Sequence, residues 1–298
     1  VGIGDDAAVL LPTPGRLLVV TTDVIVEGRH FTAALSAPAD WGWKAVAVNC
    51  SDVAAMGAVP RWLVLALTIP EGATVELLDE LYAGIGEACG SFAVDLVGGD
   101  VSRGPALSLA VTALGEAERV VTRSGAHPGD LLAVTGPLGA AAAGLGLLRR
   151  GDDAARSLLG RFPALAAAHR RPCPDLDAGP RLARAGATAM LDVSDGLAGD
   201  ALHLAEESET GIELDAAAVP LAPGVREAAE LFGVDPVELA IGGGEDFVLA
   251  AALPAEAVSG LTVCGRFTAD PERRVRRLAD GRELPLAGSG YDHFRAGA

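Results

Sequence analysis

The stretch "RLLVVTTDVIVEG" (residues 16–28) sets the reading of the whole chain. Its apolar, β-branched residues predict a strand, and its polar end predicts a loop. Thr21, Thr22 and Asp23 put two hydroxyls and an acid on that strand. Just upstream, "GIGDDAAVL" (2–10) sets Asp5 and Asp6 side by side before another apolar run. Side chains alternate along a strand edge, so these two acids take different roles, one in chemistry and one in shaping a turn.

Downstream, "PADWGWKAVAVNCSDVAAMGA" (38–58) carries apolar residues at helical spacing, with Gly57 and Pro60 as stops. "RWLVLALTIP" reads as a buried strand and "TVELLDELYAGIGEACGSF" as an amphipathic helix. "AVDLVGGD" and "ALSLAVTALGE" read as two more strands. "TRSGAHPGDLLAVTG" (122–136) marks the crossing into a second domain, giving expected domains 1–118 and 119–298. In the second, strands "ATAMLDV", "GIELD", "DFVLAAAL" and "LTVCGRF" alternate with helices, which argues an α/β layer domain. The expected fold class is therefore α/β (α+β), with an N-terminal mixed sheet and a C-terminal α/β layer.

The composition narrows the function. At 298 residues, half of them hydrophobic and only 21% charged, the chain reads as globular. No run of about 18 residues is free of polar interruption, and no signal peptide is visible, so a cytoplasmic protein is expected, with no membrane partner. The four cysteines form no close pair, which argues against a disulfide framework or a thiolate zinc site. A net charge of −17, with Lys44 the only lysine, excludes a nucleic-acid partner without a basic patch, and none is present. An anionic ligand would need divalent cations to reverse the local field.

Acids recur where an apolar strand or helix gives way to Gly, Ser or Thr: Asp5 and Asp6, Asp23, Asp52, Asp100, and Asp192 with Asp195. Asp52 lies late in its helix, where the macrodipole disfavours a negative charge, and beside apolar neighbours, so it calls for a cation or donors. The others keep plainer alternatives. Asp100 after Gly-Gly suits a turn. Asp195 before "GLAGDALHL" suits a helix N-cap. "GGGEDF" (242–247) reads as a glycine turn into a strand, so at most one of Glu245 and Asp246 faces a cleft. Arg123 in "TRSG" is a planar phosphate fork or a solvated loop residue. His30, a lone histidine, is more often a surface or packing residue than a catalyst. Together with Thr21, Thr22, Ser51 and Ser194, the acids supply the oxygen ligands that Mg²⁺ takes. No HExxH, CxxC or Gly-x-x-x-x-Gly-Lys phosphate loop competes.

Taken in order, "GIGDDAAV", "TTDVIVEGRHF", "NCSDVAAMGA", "VGGDVSRG", "TRSGAHPGD", "LDVSDG", "GGGEDF" and "GYDHF" resemble the thiamine-monophosphate kinase family over nearly the entire chain. The wider superfamily includes aminoimidazole ribonucleotide synthetase, selenophosphate synthetase and a hydrogenase-maturation dehydratase. The resemblance implies ATP-dependent phosphorylation of thiamine monophosphate with several Mg²⁺ ions. It also implies a homodimer whose N-terminal sheets form a barrel, and a C-terminal domain closing the cleft. Its metal ligands fall on Asp6, Thr21, Thr22, Asp23, Asp52, Asp100, Asp192 and Asp195. Its nucleotide contacts fall on Gly99, Asp100, Arg123 and Ser194, and its substrate contacts on His30, Glu245 and Tyr291, where relatives often carry Trp. Asp5 is left to the turn. Two other readings stand beside it: a superfamily relative that activates an amide or carboxamide oxygen with ATP, and an inactive protein that binds nucleotide or thiamine phosphate.

Overall fold

In the computed structural model, which describes residues 3, 4 and 6–287, the apolar run after Arg16 forms strand β1 (Leu17–Val26). It is followed by α1 (Pro38–Ala55), β2 (Val59–Ile69), α2 (Val75–Phe92), β3 (Asp95–Arg103) and β4 (Ser108–Ala117). These strands make one sheet in the order β1-β4-β2-β3, with β2 and β3 parallel and the other pairs antiparallel. Along β1, Val19 and Ile25 are buried on the face that α1 packs against. Leu18, Val20 and Val24 point the other way and stay 49%, 60% and 48% exposed.

Asp23 and Asp100 were expected where strands end, yet both lie inside strands. Asp23 pairs with Val111 of β4 and Asp100 with Ala66 of β2. The ladder tolerates them because pairing uses only the backbone, and both side chains are exposed. The Gly98-Gly99-Asp100 sequence is therefore not a turn. Gly99 is required by close packing, since a Cβ there would lie 2.2 Å from the Leu65 carbonyl oxygen.

The second sheet is built from β5 (Leu131–Val134), β6 (Ala189–Asp192), β7 (Gly211–Asp215), β8 (Leu249–Leu253), β9 (Thr262–Thr268), β10 (Arg274–Arg277) and β11 (Glu283–Pro285), in the order β11-β10-β7-β9-β5-β8-β6. Between its strands come α3 (Ala140–Arg150), α4 (Asp153–Arg161), α5 (Pro163–Arg170), α6 (Ala178–Ala185), α7 (Leu197–Glu207), α8 (Val225–Phe232) and α9 (Pro236–Gly242). Only β7 and β10 are parallel neighbours. The pairings nonetheless make β5, β6, β7 and β10 run one way, with β8, β9 and β11 opposed. β5, β6 and β7, joined in turn by helices, thus share a direction, as βαβ crossovers require, whereas β8, which follows α8 and α9, runs opposed and inserts between β5 and β6. Leu132, Val134, Leu191, Ile212 and Phe267 form the core with Leu197 and Leu204 of α7.

β10 and β11 carry no apolar period and were not visible in the sequence. Ion pairs accompany them instead. Buried Glu213 of β7 is held by Arg266, Arg273 and Arg277, and Arg273 also reaches Glu283 of β11 at 2.7 Å. Burial pushes the Glu213 carboxyl up, but the Arg273 and Arg266 hydrogen bonds outweigh it and the pKa is lowered. The chain divides into two compact units, Val1–Val120 with Arg170–Pro180, and Val121–His169 with Arg181–Ala298. Among the described residues no helix is long and apolar enough to cross a membrane.

Candidate functional site

In the first unit, alternation along β1 sorts the candidate ligands. Thr21 and Asp23 share the α1 side, and the Thr21 hydroxyl donates to Asp52 Oδ2 at 2.8 Å. The Asp23 backbone N–H donates to Asn49 Oδ1 at 2.9 Å, while the Asn49 amide donates to Ala45 O at 2.9 Å. One turn of α1 thus binds the middle of β1 through Asn49 and Asp52. Thr22 faces the opposite side, where its hydroxyl donates to Val111 O at 3.0 Å and accepts from Thr112 Oγ1 at 3.2 Å. Its hydroxyl is not brought to Asp52. Asp100 accepts from Ser102 Oγ at 2.9 Å, and Asp6 is exposed.

His30 sits in the tight turn after β1. Its Nδ1 accepts from the Val26 N–H at 3.0 Å, and its own carbonyl accepts from Lys44 Nζ at 3.2 Å. The chain's single lysine is therefore a buried structural donor on α1. Accepting at Nδ1 leaves the neutral imidazole its proton at Nε2. Phe31, next in the chain, stacks on Trp41 with ring centroids 4.7 Å apart.

In the second unit, β6 ends at buried Asp192 and turns through Ser194 and Asp195 into α7. Asp195 was a candidate N-cap, but Gly196 takes that position with φ +110° and no side-chain cap. Asp200 does the capping from inside the helix, accepting from the Asp195 and Gly196 N–H groups at 3.3 and 3.1 Å. This leaves the Asp195 carboxylate outside helix capping. Burial, then the neighbouring Asp195 and Asp192, push the Asp200 carboxyl up to about 8. Asp200 was missed in the sequence. Its signal was present: it lies with Leu197, Ala201 and Leu204 on the buried helical stripe, an acid where an apolar residue belongs.

The "GGGEDF" segment is irregular rather than a turn directly into a strand, because β8 starts only at Leu249. Glu245 and Phe247 both have positive φ, +57° and +51°. Backbone bonds from Glu245 N to Ser194 O (2.8 Å) and Phe247 N to Val193 O (3.0 Å) lay the segment along the Asp192–Asp195 loop. Asp246 turns inward to the α3 N-terminus, accepting from the Gly139 and Ala141 N–H groups at 2.7 and 3.4 Å. Burial still pushes its carboxyl up to about 6, against the pull of those N–H donors. The Glu245 carboxylate goes elsewhere, to His169 Nδ1 at 3.0 Å.

Arg123 is exposed on a loop tied to the same elements. Met190 N donates to Thr122 O at 2.9 Å, and Ser208 Oγ, after α7, accepts from Gly125 and Ala126 N–H groups at 3.1 and 3.0 Å. Asp192, Ser194, Asp195 and Glu245 thus gather at the β6 exit, while the Arg123 loop lies against the first half of β6 and the far end of α7. Tyr291 and Asp5 lie outside the described residues.

Among the described residues no three His, Cys, Asp or Glu side chains converge tightly enough to hold a metal by themselves. The donors are all oxygen, however, and come as partial sets such as Thr21 with Asp52 and Ser102 with Asp100. Mg²⁺ takes one or two carboxylates and completes its shell with water and phosphate oxygens. The crowding of Asp192 and Asp195 against Asp200, which helps raise the Asp200 carboxyl, is what a bound cation would relieve. These residues fit a hard ion bound together with a polyphosphate, and they do not fit a closed zinc cage.

Comparison with known proteins identifies the family. The family described as AIR synthase related protein matches through its N-terminal domain over residues 4–117 and its C-terminal domain over residues 127–274. Thiamine-monophosphate kinase of Synechococcus elongatus is 39% identical over 98% of this chain and 91% of its own. Thiamine-monophosphate kinase of Aquifex aeolicus is 38% identical over 98% and 92%. A solved structure described as AaThiL complexed with AMPPCP and TMP superposes with TM-score 0.85 at 34% identity, covering 95% of this chain and 89% of the other.

Proposed function

Because the chain belongs to the AIR synthase related family, and within it to the thiamine-monophosphate kinases, we propose that it transfers the terminal phosphoryl group of ATP to thiamine monophosphate, forming thiamine diphosphate. The observation that carries this reading is the resemblance, over 95% of the chain, to a structure complexed with an ATP analogue and TMP. The Asp52 carboxylate held by Thr21 and the acids at the β6 exit support it.

The acceptor is a phosphate monoester with a second pKa of about 6, largely dianionic at neutral pH. It is already a nucleophile, so no residue serves as general base. The difficulty is bringing two anions together, and several Mg²⁺ ions, when bound, would neutralise that charge. Asp6, Thr21, Thr22, Asp23, Asp52, Asp100, Asp192 and Asp195 would hold those ions. Given the orientation of its hydroxyl, Thr22 would contribute through its carbonyl. Gly99, Asp100, Arg123 and Ser194 contact the nucleotide, with Arg123 gripping phosphate as a planar fork. His30, Glu245 and Tyr291 contact thiamine monophosphate. Transfer is direct and in line, with no phospho-enzyme.

The chain works as a homodimer, closing its N-terminal sheets into a barrel. Exposed Leu18, Val20 and Val24 form an apolar face that association would cover. Four free cysteines suit the cytoplasm, and burial, ahead of neighbouring Cys89 and Asp215 respectively, pushes the Cys50 and Cys264 thiols up to about 12. The test is product analysis with ATP, Mg²⁺ and thiamine monophosphate. Thiamine diphosphate is expected, with no turnover of aminoimidazole precursors and no protein labelling by γ-labelled ATP alone. Absence of thiamine diphosphate refutes the activity, and stable labelling refutes direct transfer.

A further inference from the structure

We propose that His169 is a positioning residue for substrate recognition, fixing the Glu245 carboxylate in the orientation that meets thiamine monophosphate. This rests on the proposed role of Glu245 as a substrate contact. His169 lies near the end of α5, one helical turn after fully buried Leu165 and on the same face. Its imidazole is buried, with 7% of the side chain exposed, whereas 29% of the Glu245 side chain remains exposed. An ionised carboxylate only accepts, so Nδ1 carries the proton in the 3.0 Å contact to Glu245 Oε2.

Glu245 is held more firmly than a surface glutamate needs to be. Its backbone has φ +57°, a conformation that costs a non-glycine residue about 1 kcal/mol or more. Three anchors maintain it: Glu245 N on Ser194 O, Phe247 N on Val193 O, and Asp246 on the α3 N-terminus. A Cβ on Gly244 would lie 2.4 Å from Ser194 O, so the segment is pressed against the Asp195 loop. These contacts fix where the Glu245 side chain starts. None of them fixes where its carboxylate ends, and His169 does. A buried donor aimed at a half-exposed acid in a strained, anchored segment is an arrangement for presenting that acid.

Steady-state kinetics on the full chain test the proposal. His169→Met, which fills the buried volume without a donor, and His169→Ala should raise KM for thiamine monophosphate by about tenfold or more. KM for ATP and kcat should each stay within about twofold. His169→Gln retains an N–H donor and should restore KM to within about threefold of the parent. In a Glu245→Gln background, His169→Met should add little further. A folded Met variant with unchanged KM overturns the proposal, as does an equal rise in the Glu245→Gln background. Loss of the fold in all three variants also counts against it, marking His169 as a core residue. Absence of turnover by the parent chain refutes the kinase reading itself, whereas normal parent turnover with an unchanged Met variant refutes only the role of His169.

Discussion

The Thr21 hydroxyl donates to the Asp52 carboxylate across 2.8 Å, joining the middle of β1 to the last turns of α1. An acid so late in a helix opposes the macrodipole. Here it is half-buried and used as an acceptor across two elements.

Replacing Asp52 by Asn tests whether its charge is needed beyond that bond. The Asn carbonyl can still accept from Thr21, so the thermal midpoint should stay within about 3 °C. Turnover should fall by about 100-fold or more, because a neutral amide is a poor ligand for Mg²⁺. Paired thermal unfolding and kinetic measurements decide it, and near-normal turnover would sink the metal-holding role.

Gly98 and Gly99 are neighbours in β3 with opposite expectations. A Cβ on Gly99 would lie 2.2 Å from the Leu65 carbonyl oxygen, whereas one on Gly98 meets nothing within 4 Å. Gly99→Ala should cost about 2 kcal/mol or more by forcing β2 and β3 apart, and Gly98→Ala less than about 1 kcal/mol. Denaturant unfolding of the two variants measures the contrast. Equal costs would show that the tight approach is not what selects glycine.

Asp200 caps α7 from within its first turn. Asp200→Ala leaves the Asp195 and Gly196 N–H groups without that acceptor and should destabilise the chain by about 2 kcal/mol. Asp200→Asn keeps an acceptor oxygen and should recover most of the loss. If both variants unfold at the same denaturant concentration, capping is not its role.

Asp246 gives a pH signature of defined sign. It holds its proton in the folded chain up to about pH 6, above the ordinary aspartate value of 3.8. Between those values the native state binds more protons than the unfolded one, so this group's stability contribution falls as pH rises and is flat above the window. Relative to Asp246→Asn, the parent chain should lose about 3 kcal/mol across it. Urea unfolding of both proteins over a pH series reads the difference, and a pH-independent difference refutes the raised carboxyl.

Most regular elements were legible because their signals are local. Periods in "LLVVTTDVIV" and "VELLDELYAGIGEACGSF" coincide with β1 and α2. The strands that escaped, β10 and β11, are short and charged, and their pairing accompanies contacts to Glu213 far earlier in the chain. The candidate acids were also visible, because an Asp amid apolar residues and glycines stands out. His169 escaped notice because it looks ordinary in its own helix and acquires meaning only from what it touches, whereas Asp200 did carry a local signal, as an acid on the buried stripe of α7.

Sequence alone determined which residue types were available: an oxygen-only ligand supply, a single lysine, no disulfide pattern, and the ordered motifs of one family. Tertiary structure decided how they are used. Strand register placed Thr21 with Asp52 and turned Thr22 the other way. Positive-φ backbone in "GGGEDF" separated Glu245 from Asp246 where simple alternation did not apply. Asp200 displaced Asp195 from the helix cap. The third is local, since Asp200 accepts from N–H groups four and five residues back, but the first two share one physical reason. A side chain's direction follows from local backbone geometry, but its partner comes from a segment tens of residues away, placed by the packing of the whole unit.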